Sequence, residues 1–192
     1  MTAEESIRSI GRAKAAIDNG LSRVGRTLAA AAAAARWLHA ATGRVTALSD
    51  AVILLCRERH GAEAASPARA ALQISADMLW ATAPGPCRER LAELERDARC
   101  GDWGALWSEA RLRERLAGGG LTEAEARERL ASSARLCAGL SMGGSDGLPW
   151  AHAFAAPPGA RVSPEEALEA AARAMADVVR ALGARWPGCF QS

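Results

Sequence analysis

Apolar residues recur along this chain at helical spacing, and nowhere do they alternate with period two over a strand's length. The clearest stretch is SPARAALQISADMLWATA, residues 66–83. Ser66 and Pro67 read as an N-cap and a first-turn proline, and Pro84, Gly85 and Pro86 stop the helix. Between these signals nearly every position is apolar or small. The exceptions Ser66, Arg69, Gln73 and Asp77 are spaced three, four and four apart, which puts them on one narrow stripe. A helix apolar around most of its circumference belongs at the centre of a bundle, and a polar stripe on it must find partners.

The remaining elements follow in order. Thr2 and Glu5 form a capping-box pattern ahead of a helix carrying Ile7, Ile10 and Ile17, with Asn19–Gly20 a plausible break. An alanine-rich helix then runs to about Thr42, where Gly43 ends it. Residues 44–60 place Val45, Leu48, Val52, Leu55 and Cys56 on one side. After the central helix, residues 87–100 carry only Cys87, Leu91, Leu94 and Ala98 as apolar positions, a surface helix. Asp102 opens a helix with Trp103, Leu106, Trp107 and Ala110 on one face, broken at Gly118–Gly120, a possible sub-boundary. Thr122 and Glu125 cap a helix with Leu130, Ala134, Cys137 and Leu140 inward. Residues 141–162 are the one long irregular stretch. Ser163, Pro164 and Glu166 then start a helix whose stripe Leu168, Ala172, Met175, Val179, Leu182, Trp186 ends at Pro187. The expectation is all-α: a single-domain bundle of about seven helices with a loop at 141–162.

At 192 residues, 49% hydrophobic and 24% charged, the chain has the composition of one globular domain. A net charge of +2 makes no electrostatic case for nucleic acid or an anionic membrane. Lys14 is the only lysine; arginine carries the rest of the positive charge, as a GC-rich genome would give. Five cysteines, an odd number without a C-x-x-C pair, argue against a disulfide framework and a zinc motif, so reduced thiols in a cytoplasmic protein are expected. With Glu4 and Glu5 and no apolar core, this N-terminal stretch is not expected to be a signal peptide. The longest apolar run, residues 28–35, falls far short of the roughly 20 residues that cross a bilayer.

Three sets of residues are candidates for function. Arg69, Gln73 and Asp77 could bind a carboxylate or phosphate through the guanidinium, or could instead satisfy neighbouring helices. Ser141, Ser145, Asp146 and His152 are the side chains of a hydrolytic site, in a loop of a length that is often functional. They lack a G-x-S-x-G elbow, and triad members normally come from separate elements. Trp103 and Trp107, one turn apart, form a pattern that docks a partner or caps a core. His39, His60 and His152 lie on separate segments without metal-ligand spacing, so neither metal nor cofactor is expected. Arg88, Arg90, Arg96 and Arg99 alternate with Glu89, Glu93, Glu95 and Asp97, a solvated face unlike a phosphate track.

The segment LLCRERHGAEAASPARAALQISADMLW resembles the central helix of an uncharacterised bacterial all-helical family with an R-x-x-x-E on that helix and a later L-S-x-x-x-H turn. Arg69 matches the arginine, and Leu140 and Ser141 match the start of the turn. Gln73 stands in place of the glutamate and Ser145 in place of the histidine. The resemblance implies a bundle that keeps hydrogen bonding at these positions and has lost acid–base capacity. The expected function is a non-enzymatic helical protein–protein interaction module, self-associating or a subunit of a larger assembly. The alternative is a small hydrolase or transferase working between the central helix and the 141–162 loop.

Overall fold

A computed structural model describes residues 1–29, 33–100, 108–140 and 162–190. Among them are seven helices and no strand: α1 (Ala3–Ala29), α2 (Ala33–Arg57), α3 (Ala65–Thr82), α4 (Cys87–Cys100), α5 (Glu109–Gly118), α6 (Glu123–Leu140) and α7 (Pro164–Arg185). The protein is an all-α bundle. No described helix is long and apolar enough to cross a membrane.

The most extensive contact joins α3 to α7, and the other helices are laid on this pair. Alanine dominates the seam: Ala65, Ala68 and Ala71 from α3 and Ala167, Ala171 and Ala174 from α7 are fully buried. Small side chains let the two backbones approach, while Leu72, Met78, Leu168, Met175 and Leu182 fill the space on either side. On one side α1 rests on α7, and α2 on both α3 and α7; on the other, α5 and α6 rest on α3. α4 lies against the end of α3, where Leu91 and Leu94 pack with Trp80 and Ala81.

Three helices start as their sequences dictate. Ser163 Oγ accepts from Glu166 N (3.2 Å) while Ser163 N donates to Glu166 Oε2 (2.9 Å), and Thr122–Glu125 and Thr2–Glu5 repeat this reciprocal pairing.

Several expectations are corrected. The breaks at Asn19–Gly20 and Gly43 do not occur, because both residues lie inside continuous helices. The roughly 1 kcal/mol that glycine costs in a helix is offset at Gly20 by packing: a Cβ there would stand 2.2 Å from Phe190 Cδ1. Ser66 is not an N-cap. The helix begins at Ala65, preceded by Ala64 in helical geometry without a side-chain cap. Pro67 still falls in the first turn, where its missing N–H costs nothing. The helix expected from Asp102 is interrupted at Ser108, which is extended (ψ 151°) and caps α5 by accepting from Arg111 N. Finally, α6 buries Arg129, Ser132, Ser133 and Leu136, while Ala134 is exposed. Its inner face is polar because α7 presents Asp177 and Arg173 to it.

Candidate functional site

The polar stripe of α3 runs out of the hydrophobic core toward a cluster of charge. Gln73 is buried and Arg69 half-buried, both on the inner side of the chain's central helix. One turn further on, Asp77 reaches the guanidinium of Arg115 on α5, with Oδ1 3.4 Å from Nε. Arg115 is only 1% exposed, the largest fully buried side chain of the described residues. Its Nη2 donates to Glu93 Oε1 at 2.5 Å and stands 3.6 Å from Asp97 Oδ2, both on α4. Arg111 pairs with the same Asp97 oxygen. Three carboxylates thus surround two guanidiniums at the junction of α3, α4 and α5.

Trp80 closes this cluster. The Arg115 guanidinium carbon lies 3.4 Å from the indole centre, and Arg90 approaches the same ring at 5.5 Å. Arg90 also donates to the carbonyls of Trp80 (2.8 Å) and Ala83 (2.9 Å), capping the end of α3 where its last carbonyls lack helical partners. Burial raises the Asp77 carboxyl to about 6, and the Arg115 and Arg111 guanidiniums oppose that rise without cancelling it. The Asp77 end of the stripe is therefore paired with Arg115 of α5, which in turn meets Glu93 and Asp97 of α4.

A second ionic seam fixes α6 to α7. Arg129 makes a bidentate pair with Asp177, Nε–Oδ2 3.2 Å and Nη2–Oδ1 2.9 Å, with Asp177 1% exposed. Burial pushes the Asp177 carboxyl up while this fork opposes it. Arg173 adds a hydrogen bond to Ser132 (3.0 Å) and Arg180 one to Glu125 (2.6 Å). The Arg180 and Thr122 hydrogen bonds hold Glu125 down at about 2.

Neither seam was found by reading the sequence, although a signal is present. Arg115 sits within the apolar row Leu112–Leu116 of α5, and Asp177 between Ala174 and Ala181 on α7. A charge inside a helix's apolar row implies a buried partner. The other candidates, Trp103, Trp107, Ser141, Ser145, Asp146 and His152, lie outside the described residues. Among the described residues no three His, Cys, Asp or Glu side chains could hold a metal ion.

The outer side of α1 and α2 is built differently. The two helices form an antiparallel hairpin, pinned by the Lys14–Asp50 ion pair, whose members are equidistant in sequence from residue 32. Along α1 the exposed positions Gly11, Ala15, Ser22 and Gly25 share one face, and along α2 so do Ala40, Gly43, Ala47 and Leu54. A Cβ on Gly11, Gly25 or Gly43 would meet nothing within 4 Å. Leu54 is 60% exposed.

The chain matches no protein-family model, no curated protein and no solved structure.

Proposed function

We propose that the chain is a non-enzymatic helical interaction module, a subunit of a larger assembly, whose contact face is the outer side of the α1–α2 hairpin. The single observation that carries this reading is the placement of three glycines, Gly11, Gly25 and Gly43, inside two long helices and facing open space. Each costs about 1 kcal/mol relative to alanine in a helix interior. Gly20 is offset by Phe190 inside this chain, whereas these three have no neighbour here to offset them. A glycine lets another backbone come close, and an adjoining helix from another molecule is the neighbour such a face accommodates.

The buried ionic clusters support the same reading. Asp77, Arg115, Arg129 and Asp177 join α3 to α5 and α6 to α7, a use of charge that holds a scaffold together.

The test is native mass spectrometry and light scattering on protein purified under mild salt from the cells it comes from. An oligomer or a stoichiometric complex is expected, and Gly43→Trp on the open face should dissociate it while leaving the helical circular dichroism intact. A strict monomer, alone and with candidate partners, removes the proposal.

A further inference from the structure

The helices of this chain use their arginines differently. In α5 and α6 every one is ion-paired: Arg111, Arg113, Arg115, Arg127, Arg129 and Arg135 each have a carboxylate oxygen within 4 Å. On the α1–α2 hairpin, Arg8, Arg12, Arg23, Arg36, Arg44 and Arg57 are exposed, and none makes an ion pair or side-chain hydrogen bond among the described residues. Arg88 and Arg96 on α4 are likewise exposed and unpaired among the described residues, but they share their helix with four acids, Glu89, Glu93, Glu95 and Asp97. A codon bias toward arginine acts on the whole chain, so it does not account for the difference. What differs is the supply of acids. The hairpin's Asp50 is taken by Lys14, leaving Glu4, Glu5 and Asp18 against six exposed guanidiniums, and Glu5 is spent on its capping box.

The placement is as telling as the number. Arg8, Arg12 and Arg23 lie to one side of the Gly11–Gly25 row and span about 22 Å of α1 at 1.5 Å per residue. Arg36 and Arg44 stand beside Ala40 and Gly43 on α2, about 12 Å apart by the same rise. Each helix thus shows a row of mostly small exposed positions with cations in or beside it, the α1 row interrupted by Asp18.

We infer that this face takes an acidic amphipathic helix from another protein, with its apolar seam on the small residues and its carboxylates on the flanking arginines. The inference rests on the interaction-module reading and names the partner's chemistry. A second copy in symmetric contact would set this net-positive face against an identical one, which is unfavourable. A phosphate backbone finds no exposed aromatic ring on the described part of this face to stack a base. A helix matches these rows in length, and guanidinium forks suit carboxylates.

The test uses the full chain and three probes in fluorescence anisotropy. These are a peptide of roughly 20 residues with an Ala/Leu seam flanked by Glu, its counterpart with Lys for Glu, and a DNA duplex of roughly equal length. The Glu peptide should bind at least about tenfold tighter than the Lys peptide and weaken as salt rises. R12E/R23E/R44E should lose that binding, with unchanged circular dichroism. Equal binding of the two peptides, no binding of either, or undiminished binding by the triple variant overturns the inference. Tighter binding of the duplex also overturns it, in favour of nucleic acid. An oligomer or complex in the native mass spectrum alongside any of these failures leaves the interaction-module reading standing; a strict monomer removes both.

Discussion

Arg115 lies flat against Trp80, its guanidinium carbon 3.4 Å from the centre of the indole ring, and both side chains are withdrawn from solvent. One face of the cation is covered by the ring and its edge is met by Asp77, Glu93 and Asp97. The pair adds to the packing of Leu91 and Leu94 on Trp80 and of Leu112 and Leu116 on Ala76 in tying α4 and α5 to the central helix.

Arg115→Ala should therefore destabilise by about 3–5 kcal/mol, the range for removing one partner of a buried ionic cluster. The three carboxylates lose their counter-charge and Trp80 loses the surface that covers it. For a chain of this size, thermal denaturation should show a midpoint lower by roughly 10 °C. A loss below about 1 kcal/mol would mean that the cluster is solvated in solution.

Asp77 gives stability an unusual pH dependence. Its carboxyl is raised from 3.8 to about 6 in the folded chain, so the folded state holds the proton more tightly than the unfolded state. This contribution is present below pH 4 and is lost as pH rises to about 6, on the order of 2–3 kcal/mol. Asp77→Asn should flatten unfolding free energy over pH 4–6 and raise it at pH 7. Glu125 acts oppositely: held at about 2, its contribution is present above pH 4.5 and is lost as pH falls toward 2. Urea titrations at half-unit pH steps separate the two windows. An Asp77→Asn variant that keeps the wild-type slope over pH 4–6 removes Asp77 as its source.

How far the sequence carried these conclusions depends on the range of the interactions involved. The caps of α1, α6 and α7 are written within four residues, and Thr2, Thr122 and Ser163 announce them correctly. The central place of α3 was legible because its apolar surface wraps nearly all round it. Gly20 and Gly43 misled because intrinsic propensity was weighed without their surroundings, which are Phe190 for one and open space for the other. The partner of Asp77 was not legible, since Arg115 is distant in sequence and its own helix is otherwise an ordinary charged segment. The face of α6 was misread for the same reason: Asp177 and Arg173 across the seam turn Arg129 and Ser132 inward, which leaves Ala134 exposed.

The Arg129–Asp177 fork distinguishes two meanings of a buried ion pair. Asp177→Ala leaves a buried guanidinium uncompensated and should cost about 3–5 kcal/mol. R129M/D177L removes both charges with similar volume and should recover most of that loss. A double-mutant cycle by chemical denaturation reads the coupling, and a double variant as unstable as Asp177→Ala would show that Arg173–Ser132 and Arg180–Glu125 depend on the fork.

The glycines of the first two helices offer a test in which stability and association move in opposite directions. Gly11→Ala and Gly43→Ala add a methyl where nothing lies within 4 Å and should each stabilise the isolated chain by about 0.5–1 kcal/mol. Gly20→Ala, whose methyl would collide with the Phe190 ring, should destabilise it by about 1–3 kcal/mol, as overpacking does. If the open face receives a closely packed helix, the same Gly11→Ala and Gly43→Ala changes should weaken that complex while raising the thermal midpoint of the subunit. Calorimetry on the free chain and sedimentation of the complex measure the two effects separately. Stabilisation with no change in association would place the contact elsewhere on the molecule and leave these glycines without a role in it.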